Sequence, residues 1–175
     1  VDDYPVYLFN DLWRYNLKTK QWSWINGAAG TASTRSVYEN QEESGSTITP
    51  GARYDATCWK TPSGKVYLFG GKGLNDLWSY DTASNQWTWI EGTHPVYGPP
   101  CIHGTRGIAS PSNSPGLRTG SGVWAPPDGK LYLYGGICGN NYAYNYAYTY
   151  DDLWSFDPKS NMWTWIKGSP ASGQT

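Results

Sequence analysis

Apolar and polar residues alternate in short runs along this chain, and the runs come in a repeating order. VYLF at 6–9, VYLF at 66–69 and LYLY at 131–134 are each followed by DLW and then by a W-x-W-I run. Turn formers bound the runs, as in SGK at 63–65, DGK at 128–130 and DTASNQ at 81–86. Alternation over a few residues between such turns predicts half-buried β-strands.

Three stretches align without gaps: NDLWRYNLKTKQWSWINGA from Asn10, NDLWSYDTASNQWTWIEGT from Asn75 and DDLWSFDPKSNMWTWIKGS from Asp151. Asp11 and Asp76 lie 65 positions apart and Asp76 and Asp152 lie 76 apart, the extra residues falling in a Tyr-rich stretch before the third copy. Similarity at a fixed period means repeated supersecondary units. ARYDATCWKTPSGKVYLFGG from Ala52 and LRTGSGVWAPPDGKLYLYGG from Leu117 also match, so each later unit reads as two hairpins, a four-stranded antiparallel sheet.

The predicted strands are Arg53–Trp59, Lys65–Phe69, Asp76–Tyr80 and Trp87–Ile90 in the second unit, and Arg118–Trp124, Lys130–Tyr134, Asp152–Phe156 and Trp163–Ile166 in the third. The first unit offers Val6–Phe9, Asp11–Tyr15 and Trp22–Ile25, with nothing to supply a leading strand. Asn10 follows Phe9 directly, where the other copies place GGKGL or more. Even the tightest hairpin needs about two residues to reverse. Either Val6–Trp13 is one continuous strand or a loop is missing from the sequence, and the missing loop is the expectation. The final KGSPASGQT resembles the start of another linker, which suggests a segment of a longer array.

Composition agrees with an all-β chain: 175 residues hold 11 Trp and 15 Tyr against 3 Phe and 1 Met, with 21 Gly and 12 Pro. A net charge of -1 without a Lys/Arg cluster argues against a nucleic-acid partner. No apolar run reaches the roughly 18 residues of a membrane span, and the N-terminus has no secretory signature, so a soluble chain without a membrane span is expected.

A leading strand opened by Arg, a V-Y-L-F-G-G strand, a D-L-W-x-Y-D strand and a W-x-W-I strand together resemble the kelch repeat. That is the unit of kelch β-propellers, including the non-catalytic scaffold of galactose oxidase. The resemblance implies an all-β propeller segment of about three four-stranded blades. It divides the chain into a partial blade at 1–27, a blade with a long entry linker at 28–92, a blade with a Tyr-rich insertion at 93–168, and the start of a linker at 169–175. It also implies that Arg53, Arg118, Asp11, Asp76 and Asp152 make structural contacts to loop backbone. Propellers close with typically 4–8 blades. Further blades of the same polypeptide, or other protein subunits, are therefore expected to cover the ends.

The residues themselves say more. The Trp pairs Trp22 and Trp24, Trp87 and Trp89, and Trp163 and Trp165 each share one strand face and are expected in the core. Gly70, Gly71, Gly135 and Gly136 are expected to supply positive φ or close backbone approach, without phosphate binding, since no helix follows them.

Ile25 to Arg53 and Ile90 to Arg118 both span 28 positions, so the two linkers should follow a common path. Cys101 and Cys138 fall at the same end of the third unit, where a disulfide between them is one expectation and two free thiols the other. Cys58, in a predicted strand, is expected to be a buried thiol. His94 and His103 flank Cys101, but H-x6-C-x-H matches no standard zinc spacing, and surface loop histidines are the expectation. No catalytic residue, metal or cofactor is assigned. Tyr142, Tyr144, Tyr146, Tyr148 and Tyr150 alternate, so an extended chain would line them on one face, either as an adhesive stripe for another subunit or glycans, or as rings lying on their own blade.

The expected function is a non-catalytic module for protein–protein interaction or structural assembly, part of a larger extracellular or cell-surface protein or filament. One alternative is the scaffold of a carbohydrate-binding or oxidase enzyme whose active residues lie elsewhere. Another is a cytoplasmic kelch substrate adaptor.

Overall fold

The computed structural model describes residues 7–30, 36–38, 40–71, 74–93, 101–138 and 148–170. These residues form antiparallel β-sheets joined by turns and linkers, and none of their elements is a helix long and apolar enough to cross a membrane. A hairpin, β1 (Leu12–Asn16) with β2 (Gln21–Asn26), comes first. The second unit contains β3 (Ser44–Gly45), β4 (Thr57–Lys60), β5 (Lys65–Phe69), β6 (Leu77–Asp81) and β7 (Gln86–Glu91), in the order β3-β7-β6-β5-β4. The third contains β8 (Ala109–Ser110), β9 (Gly122–Trp124), β10 (Leu131–Cys138), β11 (Tyr148–Asp157) and β12 (Met162–Lys167), in the order β8-β12-β11-β10-β9.

The repeat holds at the level of individual residue pairs. Trp13 faces Trp24 and Tyr15 faces Trp22 in the hairpin. Trp78–Trp89 and Tyr80–Trp87 take these places in the second sheet, and Trp154–Trp165 and Phe156–Trp163 in the third. A bulge precedes the Trp of each DLW run, between Leu12 and Trp13, Leu77 and Trp78, and Leu153 and Trp154. The turn after each DLW strand is also copied. Asn16, Asp81 and Asp157 accept the backbone N–H two residues on, and Lys20, Asn85 and Asn161 then close the turn at positive φ.

Several expected boundaries are corrected. Each later sheet has five strands rather than four, because the linker adds a two-residue outer strand, β3 on β7 and β8 on β12. The equal linkers do run alike, with bridges Val37–Thr49 and Ile102–Ser114 at matching positions. The leading strands start at Thr57 and Gly122, so Arg53 and Arg118 lie in the loops before them, where their guanidinium groups turn inward. β10 and β11 continue past Gly135 and Gly136, pairing Gly136 with Tyr150 and Cys138 with Tyr148. Where a Val6–Phe9 strand or a continuous Val6–Trp13 strand was expected, the described residues 7–11 form no strand. Without a turn between Phe9 and Asn10, that segment cannot double back onto β1.

Two cores follow from this arrangement. Trp59, Tyr67, Phe69 and Leu77 of the second sheet pack on Leu131, Leu133, Trp154, Phe156, Trp163 and Trp165 of the third. The opposite face of the second sheet, with Trp78, Tyr80 and Trp87, packs on Leu12 and Ile25 of the hairpin and on Ile48 of the linker. Truncating a buried ring of this size to Ala costs about 3–5 kcal/mol.

The Trp expectation splits along the chain. Trp87, Trp163 and Trp165 are buried and Trp89 is partly so. Trp22 and Trp24 are instead 65% and 47% exposed, because no strand among the described residues packs on the outer face of the hairpin.

Candidate functional site

The unusual residues gather around two matching polar centres. In the second unit Arg53 reaches from its loop to Asp76, with Nη1 to Oδ1 at 2.8 Å and Nη2 to Oδ2 at 3.0 Å, and donates to the Gly70 carbonyl at 2.9 Å. The Trp78 indole N–H donates to Asp76 at 2.7 Å, and the Tyr38 hydroxyl donates to the same Oδ2 at 2.8 Å. In the third unit Arg118 contacts Asp152 at 2.8 and 3.1 Å and the Gly135 carbonyl at 3.0 Å, and Trp154 donates to Asp152 at 2.7 Å. His103 takes the place of Tyr38, with Nε2 3.1 Å from Asp152 Oδ2.

Arg118, Asp76 and Asp152 are fully enclosed. A bidentate guanidinium satisfies a buried carboxylate better than any other cation, because its planar fork matches both oxygens. Burial opposes ionisation of Asp152, yet the hydrogen bonds and charge of Arg118, with Trp154 and His103, outweigh it and hold the carboxyl below its ordinary range. The Tyr38 hydroxyl is pushed the other way, by burial first and then by the neighbouring Asp76 charge.

The glycine pairs bring the backbone to these arginines. Gly70, Gly71, Gly135 and Gly136 all take positive φ. A side chain at Gly71 would meet the Tyr54 carbonyl at 2.6 Å, and one at Gly70 the Arg118 carbonyl at 2.6 Å. Gly71 also donates its N–H to that carbonyl at 3.1 Å, tying the second unit to the third.

Cys101 joins the third centre. Its Sγ lies 3.4 Å from His103 Nε2, 3.6 Å from Asp152 Oδ2 and 3.6 Å from Arg118 Nη2. No disulfide is present among the described residues, so the expected pairing with Cys138 is not supported; the linker path carries Cys101 toward Asp152. Cys58, expected to be buried, is exposed, because its side chain points away from the face that carries Thr57 and Trp59 into the sheet.

His103 is likewise corrected from a surface histidine to a buried one, set between Trp154 at 5.1 Å and Trp165 at 4.8 Å. His94 lies outside the described residues. Within the Tyr stripe, Tyr142, Tyr144 and Tyr146 also lie outside them, and Tyr148 is described only by its backbone pairing. Tyr150 turns inward and stacks over the Arg118 guanidinium at 4.3 Å.

A Cys, a His and an Asp so close together raise two chemical readings. The donor atoms all lie within 4.8 Å of one another, close enough to share a cation. However, Asp152 Oδ2 already accepts from Trp154 and Arg118, and a dication there would sit against the guanidinium, so the residues do not fit a metal. A nucleophilic triad needs the thiol on one imidazole nitrogen and the carboxylate on the other. Here both face Nε2, so the ring cannot pass a proton between them.

The first unit retains only a remnant. Trp13 donates to Asp11 at 2.6 Å, in an exposed position. The residue before each Asp has a role that motif reading missed: Asn10, Asn75 and Asp151 accept the backbone N–H of Ala28, Thr93 and Ser169 across the end of the sheet. Tyr38 was missed too, and His103 was not matched to it, although the equal linker lengths place them 65 positions apart, like Asp11 and Asp76.

An apolar cleft of about 320 Å³ separates the hairpin from the second sheet, lined in part by Leu12, Ile25, Tyr80 and Trp87. At the next interface the positions matching Tyr80 and Trp87, Phe156 and Trp163, are covered by Tyr67 and Phe69. The counterparts of those two rings are Tyr7 and Phe9, which are exposed. The cleft is thus space left by the strand that does not form.

No family model matches the chain. The Rho GTPase-activating protein gacHH of Dictyostelium discoideum is 27% identical over 125 residues, which cover 69% of this chain and 7% of that protein. Among solved structures, that of YjhT aligns with a TM-score of 0.46 and 21% identity over 70% of this chain and 30% of that one. The chain therefore spans a small part of the length of these two proteins.

Proposed function

We infer that the chain is a non-catalytic module for protein–protein interaction or structural assembly, built from kelch-type propeller blades. The observation that carries this reading is the contrast between its polar centres and its ends. Arg53 with Asp76, and Arg118 with Asp152, are consumed by contacts within their own units. The two end faces instead carry exposed aromatic residues, among them Trp22, Trp24, Trp124 and Tyr134. Large exposed apolar surfaces mark places where protein is to be covered by protein.

The match to gacHH fits a module, since a similar stretch there makes up a small part of a much longer protein.

Photo-crosslinking tests the reading. With benzoylphenylalanine in place of Tyr134 or Trp24 in the native protein, crosslinks to polypeptide are expected at both positions. A protein that crosslinks at neither, yet stays folded, would overturn it.

A further inference from the structure

A clasp recurs at the end of the last strand of each unit, and one copy carries the means to break it. Gly27, Gly92 and Gly168 follow these strands at positive φ of 92°, 99° and 95°. Each packs on the residue before the DLW aspartate, where a side chain would meet the carbonyl oxygen of Asn10 at 2.3 Å, of Asn75 at 2.5 Å or of Asp151 at 2.4 Å. Only glycine fits there. The next residue donates its N–H to the side chain of that same partner, Ala28 to Asn10 at 3.0 Å, Thr93 to Asn75 at 3.2 Å and Ser169 to Asp151 at 2.9 Å.

The residue before the glycine differs: Asn26, Glu91 and Lys167. Asn26 is the one asparagine in the sequence that precedes a glycine. The Gly27 N–H donates to Asn26 Oδ1 at 2.7 Å, which folds the carboxamide over its own following amide. Cγ lies one carbonyl bond, about 1.2 Å, from that oxygen and so stands beside the Gly27 nitrogen. A nucleophile and an electrophile held in contact within one chain react as an intramolecular pair, and glycine brings no side chain to shield the nitrogen. Glu91 is occupied with the Trp163 indole instead, and Lys167 has no side-chain carbonyl.

We propose that Asn26 is a site of spontaneous deamidation whose isoaspartate product releases the clasp of the first unit. The Gly27 nitrogen gives its proton to hydroxide and bonds to Asn26 Cγ; the Cγ–Nδ2 bond breaks, Nδ2 leaves as ammonia, and a cyclic succinimide closes. Water then opens the ring at either carbonyl, giving Asp or isoaspartate. Isoaspartate routes the backbone through Cβ and Cγ, one carbon longer, a displacement of about 1.5 Å. Gly27 already sits against Asn10 more closely than a side chain allows, so this shift draws Ala28 off the Asn10 side chain. Asn10 also donates to the Pro50 carbonyl at 3.2 Å, so the same amide ties the hairpin to the linker of the second unit. The modification therefore loosens the first unit and leaves the Asn75 and Asp151 clasps intact.

Incubation of the folded chain at mildly alkaline pH, followed by tryptic mapping, tests this. The peptide from Gln21 to Arg35 should lose its amide and appear as Asp and isoaspartate forms, while Asn10, Asn75, Asn85, Asn113 and Asn161 keep theirs. In the isoaspartate fraction, hydrogen exchange should show loss of protection at the Ala28 amide and none at Thr93 or Ser169. Asn26→Gln, whose longer side chain disfavours ring closure, should keep both its amide and the protection. Freshly prepared Asn26→Asp carries the new charge without the extra backbone carbon and should keep Ala28 protected. Deamidation of Asn26 in urea but not in the folded chain, or no faster than at the other asparagines, would overturn the proposal. So would isoaspartate at position 26 with Ala28 still protected.

Discussion

Tyr38 and His103 hold the same place in successive units. Each puts a polar atom on the outer oxygen of a buried aspartate, 2.8 Å from Asp76 for Tyr38 and 3.1 Å from Asp152 for His103. Each also lies between two tryptophans of its sheet, tilted against one and edge-on to the other. Ser36 and Cys101, two residues earlier, match as well. The Cys–His pair of the third unit is thus a variant of a Ser–Tyr pair in the second.

That equivalence makes His103 replaceable. His103→Tyr should leave the urea midpoint nearly unchanged, whereas His103→Ala should destabilise by about 1–3 kcal/mol through the lost ring contacts and an unsatisfied Asp152. Equal losses for both variants would mean that the two centres are not interchangeable.

The same view makes Cys101 a packing residue. Cys101→Ser, which copies Ser36, should change stability by no more than about 0.5 kcal/mol. Addition of Zn(II) should leave the melting temperature of the wild type where it was, and so should reductant. A zinc-induced rise lost in Cys101→Ser would restore the metal reading.

Arg118 and Asp152 should behave as a unit. Removing one partner of a buried pair strands the other's charge, so Asp152→Asn or Arg118→Met should cost about 3–5 kcal/mol. Arg118→Lys should not rescue, since an ammonium cannot hold both carboxylate oxygens and the Gly135 carbonyl in one plane. Because the folded Asp152 carboxyl titrates below its unfolded value of 3.8, its contribution is full above that pH and lost as the pH falls further. Denaturation across that acid range, followed in wild type and Asp152→Asn, checks the sign.

Glu91 should act in the opposite sense. Its carboxyl accepts the Trp163 indole N–H across the interface of the second and third sheets, and burial pushes its pKa from 4.5 up to about 8. The folded chain then holds a proton that the unfolded chain has released. Stability from this group is full below pH 4.5 and declines as the pH rises toward 8. Glu91→Gln keeps an acceptor for Trp163 and should flatten the fall in melting temperature over that window.

Much of this fold was legible along the chain. The period of the DLW and W-x-W-I runs, the Asp-initiated turns and the alternation of rings indicated most of the strands and their pairing as hairpins, because these depend on neighbours a few residues away. The Trp pairs of the three units look alike in sequence, yet only Trp87, Trp163 and Trp165 are buried, with Trp89 partly so. Burial depends on what lies across a sheet face, and no local pattern records that. The outer strands β3 and β8 escaped notice for a similar reason: two residues of linker carry no alternation, and only the unpaired edge of β7 or β12 makes them strands.

The sequence by itself thus determined an all-β chain of repeating antiparallel units, since periodicity and turn chemistry act through short stretches of backbone. Only the tertiary structure decided where the chemistry went. It enclosed Arg118 against Asp152, moved His103 from the surface to the place that Tyr38 holds in the second unit, set Cys101 beside His103, and exposed Trp22 and Trp24. Each of these outcomes joins residues from separate linkers and strands, so it is set by how the sheets stack rather than by spacing along the chain.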